Sequence, residues 1–315
     1  MSINQPILEK SEQPLVLENC TDPNISQEQI NALEEQSVNV AKGMVRIAGA
    51  KVRYTHLAPE HPTDEPGIVI ANGYWATDGA YSALAAELAI RGRTVTHIKP
   101  PRTQGIVASV RPEHLKDVLL LQAQALWAVM KVQGEDQYDI YGHSMGAPIA
   151  ARVANEKQER VHSLLLAGGA GMNGKNGFLG MLIKSGGLLH HDVYAGRRDL
   201  RRYTTPSIVT DTLIHGLRRP DRTLREGVTV AREDIRPRLE RVKEAGISIG
   251  ALLFDEDIFF TSGSILAATG DLLDVVHRTP GASHVYPQDH PLQHANDIIS
   301  VSDTLYIRAT HQQSA

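Results

Sequence analysis

Short apolar runs alternate with stretches of helical spacing over most of the chain. Apolar and β-branched runs predict strands at 67–71, 94–98, 138–141, 163–167, 247–254 and 274–278. Helical spacing predicts helices at about 79–91, 112–132, 147–154, 264–272 and 292–307. The helix at 112–132 is predicted to be amphipathic, with a single apolar stripe. Strands that alternate with helices predict an α/β fold, with a mostly parallel central sheet flanked by helices.

The N-terminal part of the chain has a different pattern. Residues 1–43 are polar and acidic, and Ser26 is a candidate N-cap for a short helix that ends at Glu35. This segment is interpreted as a solvated leader or as an arm packed on the domain. A homo-oligomer formed through the arm is a further alternative. Alternation at 44–48 and 51–57 then predicts a β-hairpin.

The alternation of strands and helices is interrupted between residues 170 and 243. This stretch holds short helical patterns, no convincing strand and a cluster of arginines between Arg197 and Arg225. We interpret it as an inserted helical lid, which leaves 44–169 and 244–315 as the core. The arginines are interpreted as a solvated, salt-bridged face, with steering of an anionic substrate as the alternative.

Composition narrows the class of protein. The 315 residues, 42% of them hydrophobic and 22% charged, are typical of a globular chain with one large or two small domains. A formal charge of -4 without a basic tail argues against a nucleic-acid partner. The single cysteine, Cys20, has no partner for an internal disulfide and no metal-site spacing. A signal-peptide pattern and a run of about 18 apolar residues are both absent, so we expect a soluble cytoplasmic protein without a membrane span.

The clearest chemical motif is Gly142-His143-Ser144-Met145-Gly146, between a predicted strand and a predicted helix. A sharp strand-to-helix turn crowds any Cβ beside its central residue, which explains the flanking glycines. The turn lifts the hydroxyl of Ser144 clear of the sheet and places it beside the positive end of a helix. A serine nucleophile also needs a base within hydrogen-bond reach and a group that orients the base.

Two later loops offer these partners in the order acid, then histidine. Asp255, Glu256 and Asp257 follow one predicted strand, and His284 follows the next. The order serine, acid, histidine, with both partners on loops after later strands, is the order that an α/β-hydrolase sheet requires. From the residues alone, each of the three acids is a candidate.

At these motifs the chain resembles the α/β-hydrolase family, over about residues 44–310. The resemblance implies His284 as the base and Asp257 as the acid, with Asp255 as the alternative. The chain departs from the family pattern at Phe254, where a glycine is usual. Some members carry the acid after the preceding strand, but that turn holds no carboxylate here.

The resemblance also implies an oxyanion hole made of two backbone N–H groups. Met145 supplies the first, and Tyr74 supplies the second from the loop Asn72-Gly73-Tyr74-Trp75. Trp75 and His143 are candidates for the substrate pocket, with core packing as the alternative for Trp75. The side chain of His143 is expected to point away from the serine.

Two further patterns carry no function in this interpretation. The glycines of residues 169–174 match a dinucleotide fingerprint, but they come late in the chain and open no clean helix, so a hinge is predicted. Four residues near the C-terminus match no zinc spacing: His284, Asp289, His290 and His294. We therefore expect neither a cofactor nor a metal ion.

The sequence thus predicts a serine hydrolase that cleaves a carboxylic ester, thioester or lactone of a small acyl substrate through a Ser-His-Asp triad and an acyl-enzyme. A serine at the nucleophile position argues against epoxide hydrolase and haloalkane dehalogenase chemistry. One alternative is hydrolysis of a carbon–carbon bond in a diketone or dienoate. Another is a non-catalytic binding protein with a hydrolase fold. Substrate choice is expected to lie in the lid.

Overall fold

The computed structural model describes residues 25–47, 50–73, 80–99, 118–174 and 227–313. The strands are β1 (Asn39–Ile47), β2 (Ala50–Ala58), β3 (Gly67–Ala71), β4 (Val95–Lys99), β5 (Tyr138–His143), β6 (Val161–Ala167), β7 (Ser248–Phe254) and β8 (Val275–Thr279). The helices are α1 (Gln27–Glu35), α2 (Ser82–Ile90), α3 (Val118–Gln133), α4 (Gly146–Glu156), α5 (Arg236–Glu244), α6 (Ser262–Thr269), α7 (Tyr286–Asp289) and α8 (Pro291–Gln313). Residues 227–232 are also helical.

The eight strands form one sheet in the order β1-β2-β4-β3-β5-β6-β7-β8. β1 and β2 form the predicted antiparallel hairpin, and β2 is also antiparallel to β4. All other neighbours are parallel. The predicted α/β class with a mostly parallel sheet is therefore confirmed. The carboxyl ends of β3, β5, β6, β7 and β8 consequently meet at one edge of the sheet, where α/β folds place their sites.

Buried side chains cover both faces of the sheet, as its near-continuous apolar strands require. Alternate residues of a strand point to opposite faces, and β3 shows this clearly. Val69 packs in the core that includes α3, α4 and α5, whereas Ile68 and Ile70 pack in the core that includes α2 and α8. The central strands are thus held between two helical layers.

The N-terminal segment is partly built into the domain. Ser26 caps α1 in a reciprocal capping box, as predicted for its N-cap role. α1 packs on α2, where the side chain of Gln29 donates to Glu87 at 2.7 Å and Leu33 is buried. The sheet begins at Asn39, earlier than the predicted start of the core. The described part of this segment, residues 25–43, is therefore packed on the domain, as in the second of the two interpretations.

Two helices differ from the sequence prediction. α3 is buried around most of its circumference, including consecutive residues from Val118 to Ala123, because it packs on both α4 and β1. The single apolar stripe predicted for this helix is therefore narrower than the surface that the helix buries. α5, which falls in the predicted lid, packs on α4 and β7 through fully buried Leu239 and Val242. The boundary between lid and core stays a prediction, because residues 175–226 of the predicted lid lie outside the described residues.

Candidate active site

Ser144 lies on the turn between β5 and α4, at the carboxyl edge of the sheet. Its φ of 54° is in the left-handed region, which a residue with a side chain seldom occupies. A Cβ on Gly142 would come within 2.6 Å of the carbonyl oxygen of Gly146, and a Cβ on Gly146 would collide with the carbonyl of Ala71. Both glycines are therefore required by close backbone packing around the turn.

His284 lies in the loop between β8 and α7 and contacts both other residues of the predicted set. Its Nε2 is 2.9 Å from the Oγ of Ser144, and its Nδ1 is 2.8 Å from Oδ2 of Asp257. A carboxylate only accepts, so Nδ1 carries the proton and Nε2 is the acceptor for the serine hydroxyl. In this tautomer the imidazole can take a proton from the serine.

Asp257 is held in one orientation by donors on both carboxylate oxygens. It is 2% exposed, and its Oδ1 accepts from the backbone N–H groups of Phe259 at 2.7 Å and Phe260 at 3.0 Å. The rings of these phenylalanines also pack on His284, with centroids 4.9 and 5.6 Å from its ring. The loop after β7 thus fixes both the acid and the ring that the acid contacts.

The three adjacent acids take different directions. Asp255 forms an ion pair with Arg278 of β8 at 2.8 Å, and Glu256 is exposed. Asp257 alone of these three contacts His284. β7 ends at Phe254, and the N–H of Asp257 donates to the carbonyl of Phe254 at 3.1 Å, so the turn after the strand sends Asp255 and Asp257 in different directions.

The structure places His143, a candidate for the substrate pocket, between two other segments of the chain. Its ring is buried, and both nitrogens contact protein groups: Nδ1 is 2.5 Å from the hydroxyl of Tyr81, and Nε2 is 2.9 Å from the backbone carbonyl of His284. The expectation that its side chain points away from Ser144 agrees with this placement. Sequence reasoning missed Tyr81, because the contact joins residues far apart in the chain.

The other histidines near the C-terminus have structural contacts. His294 is fully buried on α8, and its Nε2 is 2.7 Å from the hydroxyl of Tyr141. Burial lowers the pKa of His294, against an opposing contribution from Asp297. In the part of the chain that the structure describes, no group of three or more histidine, cysteine or acidic residues is arranged to hold a metal ion. Nor is any described helix both long and apolar enough to cross a membrane.

Of the two predicted oxyanion donors, Met145 and Tyr74, the structure describes only Met145. Met145 directly follows the nucleophile candidate, is fully buried and precedes the first turn of α4. Tyr74 and Trp75 lie outside the described residues. Just before them, Asn72 donates its side-chain N–H to a backbone carbonyl of β4 at 2.9 Å, and the N–H of Gly73 donates to a tyrosine hydroxyl at 3.0 Å. The loop after β3 is therefore tied to its neighbours up to Gly73.

Comparison with known proteins identifies what the chain is similar to. The model of the "Alpha/beta hydrolase family" matches residues 68–296. A membrane phospholipase A described as a bacterial virulence factor has a TM-score of 0.62 and 18% identity, over 85% of this chain and 87% of that one. Bromoperoxidase from Bacillus anthracis has a TM-score of 0.62 and 16% identity, over 83% and 99% of the two chains.

Proline iminopeptidase from Mycobacterium smegmatis is also similar, with a TM-score of 0.61 and 18% identity over 86% and 100% of the two chains. No curated protein sequence matches the chain. At these identities the structural similarity shows the fold alone, and the names of the three proteins cover different reactions. The family match extends from β3 to α8 and therefore includes the whole serine, histidine and aspartate set.

Proposed function

The chain belongs to the alpha/beta hydrolase family, and within that family we propose that it is a serine hydrolase that cleaves a carboxylic ester, with thioesters and lactones in the same class. The observation that carries the proposal is the continuous series of hydrogen bonds from Ser144 through His284 to Asp257. Esters are the first choice because they are the commonest substrates of such a triad, and the phospholipase among the similar structures is consistent with that choice.

In the proposed mechanism, Nε2 of His284 accepts the hydroxyl proton while Oγ of Ser144 forms a bond to the carbonyl carbon of the substrate. The carbonyl electrons move to oxygen, and Asp257 stabilises the imidazolium that results. The tetrahedral intermediate collapses when the imidazolium protonates the leaving oxygen. Water then attacks the acyl-enzyme, with His284 acting again as the base, and the acid is released.

We assign the developing oxyanion to the N–H groups of Met145 and Tyr74. Met145 lies at the start of α4, where backbone N–H groups and the helix dipole favour negative charge. Tyr74 directly follows Gly73, at the position from which the family supplies its second donor. In other enzymes the removal of one such donor costs about 2.7–4 kcal/mol of transition-state stabilisation.

The strained backbone of Ser144 supports a functional role for this turn. A residue held outside its ordinary φ range costs about 1–3 kcal/mol and persists only where the surroundings enforce it. Here the N–H of Ser144 donates to Ala167 of β6 at 3.0 Å, and its carbonyl accepts from Ala170 at 3.0 Å. The turn is thereby fixed to the end of the neighbouring strand, with the hydroxyl directed at His284.

A fluorophosphonate probe tests the proposal directly. We expect intact-protein mass spectrometry to show one adduct, and peptide mapping to place it on Ser144. Ser144→Ala is expected to abolish the adduct. Ser163→Ala is the matched control, since Ser163 is also a buried serine beside a histidine–aspartate pair, and it is expected to leave the adduct unchanged.

A panel of activated esters and thioesters then tests the substrate class. We expect the mass of the protein to rise by the acyl group and to fall again as the acyl-enzyme hydrolyses. A folded protein without any adduct on Ser144 would show that the serine is not a nucleophile, as a non-catalytic binding protein requires. Turnover of a diketone or dienoate without ester turnover would instead support carbon–carbon bond hydrolysis.

A further inference from the structure

A buried series of hydrogen bonds passes through His143, the residue that precedes Ser144. The N–H of Gly73 is 3.0 Å from the hydroxyl of Tyr81, and this hydroxyl is 2.5 Å from Nδ1 of His143. Nε2 of His143 is in turn 2.9 Å from the backbone carbonyl of His284. The series therefore joins the loop after β3 to the loop after β8, and it passes through the residue that precedes the nucleophile.

The direction of each bond follows from the chemistry of its ends. The carbonyl of His284 can only accept, so Nε2 of His143 carries a proton. Burial, and then the charges of His284 and His294, lower the pKa of His143 well below its usual value, so the ring is neutral and Nδ1 is unprotonated. Nδ1 accepts the proton of Tyr81, whose oxygen accepts from the N–H of Gly73. Donor and acceptor are matched at every position.

Close packing at Gly73 is part of the same arrangement. A Cβ at this position would lie 2.8 Å from the hydroxyl of Tyr81 and 3.2 Å from Nδ1 of His143. Any larger residue would displace one of these groups. The absence of a side chain lets the backbone N–H reach the tyrosine oxygen.

We propose that His143 and Tyr81 are positioning residues that set the separation of the two loops on either side of Ser144. His143 holds the backbone of His284, while Asp257 holds its ring, so the base is fixed at two points. Through Gly73, Tyr81 holds the loop that leads directly to the proposed oxyanion donor Tyr74. The inference rests on the proposed function, because it gives His284 and that loop their roles.

The neutral state of His143 has a consequence for the reaction. Its ring centroid is 4.9 Å from that of His284, which becomes positively charged in each proposed turnover. A second positive ring at this distance would oppose that charge. A neutral imidazole supplies a donor to His284 without this repulsion.

The test compares Tyr81→Phe with Tyr141→Phe, using a p-nitrophenyl ester. Both tyrosines are fully buried, and both hydroxyls contact a histidine, but Tyr141 contacts His294 of α8. For Tyr81→Phe we expect kcat to fall about 10- to 100-fold, because a small displacement of catalytic groups is costly. KM is expected to stay within about twofold, since ground-state binding is not removed. Tyr141→Phe is expected to change kcat by less than about twofold.

Two variants of His143 add a rescue experiment. His143→Leu removes the donor to the carbonyl of His284, and a loss of kcat similar to that of Tyr81→Phe is expected. His143→Gln restores an N–H at about the same distance from the backbone. Its kcat is expected to be at least about threefold higher than that of His143→Leu. The double variant Tyr81→Phe/His143→Leu is expected to have about the same kcat as the less active of the two single variants, because both substitutions interrupt the same series of hydrogen bonds.

Distinct outcomes separate the inference from the proposed function. Equal losses of kcat in Tyr81→Phe and Tyr141→Phe, or additive losses in the double variant, would show that these side chains only stabilise the core and would overturn the inference alone. If the fluorophosphonate probe leaves the wild-type protein unlabelled, the proposed function fails and the inference fails with it. Unfolding curves of every variant show whether a loss of kcat reflects loss of folded protein.

Discussion

A buried aspartate–histidine pair lies near each end of β5, but only the pair beside Ser144 lies in the candidate active site. At the amino end, Oδ1 of Asp139 is 2.8 Å from Nδ1 of His162. At the carboxyl end, Oδ2 of Asp257 is 2.8 Å from Nδ1 of His284. Distance and burial are nearly the same in both pairs, so neither property distinguishes a site that can act on a substrate.

The serine beside each pair makes the difference. Ser163 donates to Oδ1 of Asp139 at 2.7 Å, the same oxygen that His162 contacts. The serine is therefore bonded to the acid and not to the histidine. Ser144 instead lies 2.9 Å from the free edge of its histidine, on a turn with positive φ. In a series from serine to histidine to acid, the histidine can take the proton of the serine. Two donors on one carboxylate oxygen, in contrast, only fill its capacity to accept hydrogen bonds.

The acids also differ in their remaining partners. Asp139 is fully buried and accepts from Arg93 at 2.8 Å and from Ser302 at 2.6 Å, in addition to its two neighbours on β6. Burial raises its pKa, but the hydrogen bond from His162 and the charge of Arg93 outweigh burial, so the pKa of Asp139 is lowered. We call Asp139 and these donors the amino-end cluster, and its chemistry is that of a structural ion pair.

The strongest test of this difference replaces each serine. Ser144→Ala is expected to lower kcat by about 10⁴- to 10⁶-fold, because the nucleophile is lost while the fold is kept. Ser163→Ala is expected to leave kcat within about twofold and to lower the free energy of unfolding by about 1–3 kcal/mol, because a charged, buried acceptor loses a donor. Steady-state ester hydrolysis and urea unfolding measure the two effects. The comparison is wrong if Ser163→Ala lowers kcat as much as Ser144→Ala does.

Replacement of the acids gives the next largest effect. Asp257→Asn is expected to lower kcat by about 10⁴-fold, because an amide favours the wrong tautomer of the histidine. Asp139→Asn is expected to destabilise the protein by about 3–5 kcal/mol, because buried Arg93 loses its buried carboxylate and keeps only the half-exposed Asp303 at 3.9 Å. Ester-hydrolysis kinetics and urea unfolding of both variants show whether Asp257→Asn loses mainly kcat and Asp139→Asn loses mainly stability. A stable Asp139→Asn protein with low kcat would show that the amino-end cluster takes part in catalysis.

Local patterns predicted the parts of the molecule that depend on neighbouring residues. Apolar runs placed the strands because both faces of a parallel sheet are buried, and the glycines beside Ser144 follow from crowding within one turn. Asp257 could not be separated from Asp255 by pattern alone, because the choice depends on the path of the turn that follows Phe254. Similarly, helical spacing at α5 does not show whether a helix packs on a sheet or on a lid.

Contacts between distant segments were outside the reach of the sequence. Asp139 lies in a short apolar and aromatic run, where nothing marks it as the centre of an ion cluster whose partners come from three other segments. Tyr81 resembles an ordinary core aromatic at the start of a helix. The partners of His143 were out of reach for the same reason, since they lie 62 and 141 positions away in the chain.

Acid unfolding should separate the amino-end cluster from the rest of the molecule. The folded pKa of Asp139 is lower than its unfolded value of about 3.9, so its ionisation stabilises the fold above about pH 4. This stabilisation is lost as the pH falls from there through the folded pKa, because the unfolded state then binds the proton more readily. We expect the difference in unfolding free energy between wild type and Asp139→Asn to shrink below about pH 4. A difference that stays constant down to pH 2.5 would contradict the lowered pKa.

The smallest expected effect is at Asp255, two positions before the proposed acid. Its carboxylate pairs with Arg278 at 2.8 Å, and the two side chains are 28% and 55% exposed. Exposed pairs of this kind contribute about 0–1 kcal/mol, so Asp255→Asn is expected to change the unfolding free energy by less than about 1 kcal/mol and kcat by less than about twofold. Asp257→Asn, measured with the same ester, is the matched comparison for the same chemical change. A loss of kcat in Asp255→Asn as large as that in Asp257→Asn would mean that β7 delivers a different carboxylate to His284 in the working enzyme. If the two variants differ by about 10⁴-fold in kcat, the turn that follows β7 is what assigns the acid.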